Sequence, residues 1–235
     1  MEMPYSPSAV RRYPKGKFTM HPTRQTIIGP AGKSSWHSRK RWTSTDLSLI
    51  AVFAALIAAL AILPGIPIGS LGVPITLQTL GVVLAGLVLG PTRGFAAVGL
   101  YLVAGLAGLP VFSGFRSGFG VLAGPSAGYL LAFPFAALLA GFLAVLILRR
   151  AARFRWIGLF LAGLTASLLT VHPLGIAGLV INGGLEVQAA VLADAVFLPG
   201  DVVKNALAAG IALSVHRAFP RLLAPARRPK AGASS

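Results

Sequence analysis

Two opposite charges, Asp201 and Lys204, stand three residues apart in the last apolar stretch of this 235-residue chain. On a helix beginning after Pro199-Gly200 they share a face and can pair. Ionisable groups in such a stretch are costly and usually functional. Asp194 lies seven residues before Asp201, on the other side of the Pro199-Gly200 interruption. The chemistry on offer is recognition, with an anion or a polar ring held between the charges. The alternative is a self-neutralising pair that only orients helices. Gln78 and Tyr101 add hydrogen-bonding groups to two other apolar stretches, where single polar residues also serve to hold helices together.

A second group lies between Val111 and Pro125, where Gly114, Gly118, Gly120 and Gly124 alternate with Phe112, Phe115 and Phe119 around one cation, Arg116. A mobile backbone carrying apolar anchors suits a lid that folds over a small ligand. Ser117 sits in the same loop, and with His172 as base it would suggest an intramembrane serine hydrolase. That chemistry needs an oriented base and an oxyanion site. Phe115 stands where a Gly-x-Ser-Gly motif wants glycine, and His172 is followed by Pro173, so a binding loop is the better reading. Cysteine is absent, two of the four histidines (His21 and His37) fall in a basic tail, and no cluster has metal-ligand spacing. Gly32-Lys33-Ser34 resembles the end of a phosphate-binding loop, but Ile27 occupies the position of its first glycine. The chain therefore carries no ATP-hydrolysing motif of its own.

The elements that must position these residues follow from composition. Hydrophobic residues make up 55% of the chain, charged residues 11%, and mean hydropathy is +0.79. A soluble domain of this size carries about 25% charged residues, and the deficit argues against a water-soluble enzyme. A bilayer span needs about 20 largely apolar residues. Candidate spans lie at 47–64, 75–91, 94–112, 127–148, 157–181 and 188–216, the second and third joined by the tight turn Gly90-Pro91-Thr92-Arg93. The last is too long for one plain span, and a break is expected at Pro199-Gly200. Residues 1–45 hold nine Lys/Arg and one acid, and 217–235 hold five Lys/Arg and no acid, so most of the net +16 belongs to the tails. With the N-terminus inside, both tails, Arg93 and the Arg149, Arg150, Arg153 and Arg155 loop are cytoplasmic, against Arg116 alone outside. The positive-inside rule favours that arrangement. The first tail reads as a disordered segment suited to anionic headgroups. Its Arg and Ser content also fits a transit peptide, although no amphipathic stripe supports one. A nucleic-acid partner is not expected. Ala51, Ala55 and Ala59 form a small-residue ladder on the first span, with Ala54 and Ala58 on the next row; Gly86 and Gly90 form a shorter pair. Small residues at this spacing let helices approach closely.

Several ordered motifs resemble the BioY family of biotin transporters, the substrate-capture (S) components of energy-coupling factor transporters. They are Gly72-Val73-Pro74-Ile75-Thr76-Leu77-Gln78-Thr79-Leu80-Gly81, the segment from Gly86 to Pro91, Leu109-Pro110-Val111-Phe112, Gly124-Pro125-Ser126-Ala127-Gly128-Tyr129 and Leu198-Pro199-Gly200-Asp201-Val202-Val203-Lys204. The resemblance covers about residues 47–216 and neither tail. It implies an all-α integral membrane protein of the bacterial cytoplasmic membrane, a six-transmembrane-helix bundle with biotin bound near the external surface; the charge bias puts both termini in the cytoplasm. The domains expected are a basic disordered tail (1–45), a biotin-binding membrane domain (46–216) and a second basic tail (217–235). Ligand contacts carry over by motif onto Gln78, Asp201 and Lys204, and onto Arg116 by its place in the loop. Tyr101 is the nearest polar candidate for a third-span contact that is familiar in the family as asparagine. The resemblance also implies docking of the alanine-bearing first helix onto a membrane coupling subunit driven by two ATPase subunits. Some members are thought to act without those partners. No cofactor is expected on this chain; ATP would be used by the partners.

The residues suit such a ligand independently of the resemblance. Biotin offers a carboxylate, an apolar bicycle and a ureido group, so its site needs cations, apolar walls and neutral donors and acceptors. Arg116 and Lys204 supply the first, Phe112, Phe115 and Phe119 the second, and Gln78 with Asp201 the third. Which cation meets the carboxylate is open at this point. A transporter for another small vitamin or an anion is the nearest rival, and the Ser117/His172 hydrolase the more distant one.

Overall fold

The computed structural model describes residues 42–66, 73–150, 154–220 and 222–223. The expectations for the first tail up to Arg41, for Gly32-Lys33-Ser34, and for the second tail from residue 224 onward lie outside the described residues. So does Arg153. The described chain is helical, with no strand and two isolated β-bridges, Ile66 with Ile75 and Phe112 with Arg116.

The first helix, α1 (Ser44–Ile62), starts from a capping box in which Thr43 accepts from the Asp46 amide and Asp46 accepts from the Thr43 amide. Next come α2 (Gln78–Leu89) and α3 (Pro91–Leu106), separated by one residue. Gly90 takes φ 81°, a conformation that favours glycine, and Pro91 opens the following helix, where its missing N–H costs nothing. Two short 3₁₀ turns, Ser113–Phe115 and Phe119–Ala123, lead into α4 (Ala127–Arg150), which carries Pro134 in its interior. A single run of 27 residues contains α5 (Arg155–Ala166), a π-helical turn (Ser167–Val171) and α6 (His172–Ile181). The chain continues through α7 (Val187–Ala195) into α8 (Leu198–Ala218).

Four of these helical stretches are long and apolar enough to cross a membrane: α1, α4, Arg155–Ile181 and α8. The second and third expected spans, 75–91 and 94–112, are shorter as helices. Pro74 and Thr76 keep the chain non-helical up to Gln78, and α3 ends at Leu106 before Gly108 (φ 109°) and Pro110. At 1.5 Å per residue α2 spans only about 18 Å, which leaves space above its N-terminus. The expected break at Pro199-Gly200 falls earlier, at Val196 and Phe197. Pro199 and Gly200 lie in the first turn of α8, where proline is tolerated because the first amides have no intrahelical partner.

Close helix approach replaces bulky packing at the centre, where α4 packs against α2, α3, α5 and α6. A Cβ on Gly86 would collide with the Ala137 carbonyl of α4, and one on Gly128 with the Leu174 carbonyl of α6. The Gly86 and Gly90 pair therefore packs inside the protein. The alanine ladder on α1 does the opposite. Ile50, Ala54, Ile57 and Ala61 are buried, Ala58 is half-buried, and Ala51, Ala55 and Ala59 face outward. Large apolar side chains also cover the exterior of α4, including Leu131, Phe135 and Phe142. Such a surface is suited to lipid rather than to water.

One end of the bundle is fastened by polar contacts. Arg93 reaches Asp46 at 2.5 Å and the Leu222 carbonyl at 3.0 Å, and His216 Nε2 lies 2.9 Å from the Leu87 carbonyl. These join the start of α1, the α2–α3 turn and the end of α8. The opposite end holds the start of α2, the end of α3 and the start of α8.

Candidate ligand-binding site

At that opposite end a pocket opens, enclosing about 590 Å³ of empty space with its mouth included. Gln78, Phe112, Arg116, Asp201 and Lys204 line it, so five of the residues singled out from sequence come together there. They arrive from four places: the first turn of α2, the first turns of α8, the segment after α3 and the loop beyond it. The short α2 makes this possible, since a full-length span would fill the volume.

The Asp201–Lys204 pair forms, with Nζ 2.6 Å from Oδ1 and both residues under 10% exposed. Thr79 joins it. Its hydroxyl lies 3.3 Å from Asp201 Oδ1 and accepts from Lys204 Nζ at 2.8 Å, while the Thr76 carbonyl accepts from the same ammonium at 3.3 Å. An ammonium has three donors, and all three have partners here. Arg116 is different. It is exposed, its Nε donates to the Ser113 carbonyl at 3.1 Å and one terminal nitrogen to Ser126 at 3.4 Å, so the rest of its five donors remain available.

Gln78 is 4% exposed, and its amide nitrogen donates to the Tyr101 hydroxyl at 2.6 Å. Tyr101 in turn donates to the Val111 carbonyl at 3.3 Å and meets Phe112 edge to face at 5.5 Å. Tyr101 is therefore buried behind the wall, where it orients Gln78, and is not among the lining residues. Phe112 is pressed against Gly105, where any Cβ would overlap its ring. The other phenylalanines differ from expectation. Phe115 and Phe119 are 63% and 72% exposed and lie outside the pocket wall. Phe112 lines the wall as expected, joined by Val73, Pro74, Leu130, Phe133, Val171 and Phe197. The loop is pinned as well as glycine-rich: the Gly118 amide donates to the Gly105 carbonyl, and Asn182 donates to the carbonyls of Leu122 and Gly124. Phe115 adopts φ 58°, a costly conformation for a bulky side chain, between Gly114 and Gly118 at φ 70° and 76°.

Behind Asp201 stands a second layer. Asp201 Oδ2 is 3.2 Å from His172 Nε2, His172 Nδ1 is 2.7 Å from Asp194 Oδ2, and Tyr129 donates to Asp194 Oδ1 at 2.7 Å. Asn205 donates to the Asp201 carbonyl at 2.8 Å. His172 thus faces Asp194 and Asp201 with its two ring nitrogens, so it is not positioned as a base for Ser117, which is exposed in the loop. Thr79, Ser126 and Tyr129 lie inside the motifs quoted above with no role assigned to them, and Asn205 lies outside those motifs. His172 and Asp194 are singled out from sequence, but their contact with each other is not.

Apolar-surfaced helices around a charged, ligand-sized pocket define a membrane protein that captures a small molecule. The chain belongs to the BioY family, whose model matches residues 35–221. It is 38% identical to the biotin transporter BioY of Rhizobium etli, covering 79% of this chain and 99% of the relative. It is 43% identical to the biotin transporter BioY of Rhodobacter capsulatus, covering 76% and 96%. Among solved structures it is similar to the S-component for biotin from an ECF-type ABC transporter, with a TM-score of 0.69, 34% identity, and coverage of 74% of this chain and 91% of the other.

Proposed function

We propose that this chain captures biotin in the Asp201–Lys204 pocket and delivers it across the bacterial cytoplasmic membrane as the S component of an ECF-type transporter. The observation that carries the reading is the pocket's composition: a buried carboxylate–ammonium pair, an amide, an arginine with spare donors and an aromatic wall. Lys204 has its three donors engaged, so the carboxylate of biotin goes to Arg116. The ureido ring goes to Asp201 and Gln78, with Lys204 and Thr79 holding the Asp201 carboxylate, and Phe112 packs on the bicycle. Tyr101 acts through Gln78 rather than by touching the ligand, and Phe115 reaches it only if the loop closes. Retention of radiolabelled biotin by the purified protein tests the reading. Preferential retention of another small vitamin or anion would replace biotin as the ligand.

The membrane arrangement proposed has six crossings, α2 and α3 together with the four longer stretches, α7 leading into the last of them, and both termini in the cytoplasm. Nineteen Lys/Arg then lie inside and Arg116 alone in an outside loop. Reporter fusions in the Arg149 to Arg155 loop should read cytoplasm, and fusions near Glu186 the outside. An external signal from the arginine loop would overturn this topology.

The outward alanine ladder is the proposed docking face for a membrane coupling subunit, itself driven by ATPase subunits. Ala55→Leu should block coupled uptake while leaving biotin retention within about twofold of wild type, since Ala55 points away from the pocket and bulk there holds helices apart. Uptake that survives leucine at Ala51, Ala55 and Ala59 together would mean that this face meets lipid or that transport needs no docked partner.

A further inference from the structure

Asp201 cannot be understood from Lys204 alone, because a second carboxylate lies close behind it. Asp194, His172, Asp201 and Lys204 are all under 10% exposed, and their side chains form one continuous chain of contacts. Its two carboxylates face one fixed cation, Lys204. A buried cluster carrying an uncompensated charge is strongly destabilised. The ring between the carboxylates decides the balance.

The geometry around that ring is restrictive. Nδ1 is 2.7 Å from Asp194 Oδ2, and Nε2 is 3.2 Å from Asp201 Oδ2, close but not aligned as a hydrogen bond. A neutral imidazole has one N–H and one lone pair. Either tautomer would direct a lone pair at a carboxylate oxygen with almost no water near it. With both nitrogens protonated, the ring donates to Asp194 and attracts Asp201, and two positive charges match two negative ones. Among the described residues the remaining titratable group at the cluster is Tyr129 from α4, whose hydroxyl already donates to Asp194. Asp194 is thus held on both oxygens, which makes it the anchor of the assembly. The π-helical turn immediately before His172 places the ring, as such turns often do at functional sites.

We propose that His172 is a positioning residue that, as an imidazolium anchored on Asp194, fixes the carboxylate of Asp201 for the ligand. This rests on the biotin-binding reading above and deepens it, since His172 lies behind the pocket wall and acts only through Asp201. The expectation follows from charge: His172→Gln keeps a donor but leaves the cluster one positive charge short, and biotin retention should weaken about tenfold or more. Adding Asp194→Asn removes the surplus negative charge, and the double variant should recover to within about threefold of wild type. A ring that served only to fill space would not be rescued by a change at Asp194. The protonation state is read directly from nitrogen-15 spectra of histidine-labelled wild-type protein near neutral pH, in which the signal lost in His172→Gln should be that of an imidazolium.

A neutral-tautomer signal, equal retention by His172→Gln and wild type, or a double variant no better than the single one would each overturn the role of His172 while leaving biotin binding intact. Absence of retention by wild type would instead overturn the function, and this role with it. If His172→Gln does not fold, the spectrum of a variant that retains His172 and has His21, His37 and His216 replaced decides the matter, an imidazolium signal supporting the role and a neutral one overturning it.

Discussion

Lys204→Ala should reduce biotin retention by about a hundredfold and lower the unfolding temperature as well. Lys204 contributes a charge-assisted contact at 2.6 Å to a carboxylate that is 3% exposed. Breaking a buried pair by removing one partner costs about 3–5 kcal/mol, because the remaining charge is left uncompensated. The Thr79 hydroxyl at 3.3 Å and the off-line His172 cannot replace an ammonium. Removing both charges has a different outcome. Asp201→Ala with Lys204→Ala leaves His172 and Asp194 as a balanced pair, so the double variant should recover most of the lost stability and none of the binding. Thermal unfolding and radiolabelled biotin retention, run on the same detergent-solubilised preparations, separate the two effects. Equal affinity in wild type and a stable double variant would show that the pair is only structural. Asp201→Asn is the finer probe: it keeps shape and hydrogen bonding, and a partial loss is expected because a charge-assisted bond is about twice as strong as a neutral one.

The second large effect belongs to Arg116 and depends on the ligand's charge. Arg116→Ala should weaken biotin by about ten- to a hundredfold, the range for losing one hydrogen-bonded ionic contact. Among the described residues the exposed guanidinium bonds the Ser113 carbonyl and Ser126 in its own loop, so the fold should persist. The methyl ester of biotin, which lacks the carboxylate charge, should bind wild type and Arg116→Ala alike. If the ester instead loses affinity equally in both proteins, the carboxylate is held elsewhere, and Lys204 must exchange one of its present partners for it.

Much of this organisation was legible because a membrane imposes simple rules. Apolar length located the long helices α1, α4, α5–α6 and α8, and glycine before proline marked the α2–α3 turn. Asp201 and Lys204 could be read as a pair from their spacing on one helix face, and Ala51, Ala55 and Ala59 as a ladder from theirs. Hydropathy failed at the pocket itself. Residues 75–77 are apolar enough to continue a span yet remain non-helical next to Pro74, and hydropathy does not register the volume this frees. Phe115 and Phe119 looked like wall residues by type, but the left-handed backbone at Gly114, Phe115 and Gly118 turns that part of the loop outward. His172 was read as a possible base because one feature, the serine in the loop, drew attention to it. Its actual neighbours come from α7 and α8, more than twenty residues away, and only tertiary packing brings them together.

Equilibrium retention of radiolabelled biotin by the purified wild-type protein, measured beside the Asp201→Ala, Lys204→Ala double variant, tests the central claim most directly. Saturable retention approaching one biotin per chain in wild type, lost in a double variant that remains folded, is the expected result. No saturable retention by wild type, or equal retention by the two proteins, would contradict a biotin site built on Asp201 and Lys204.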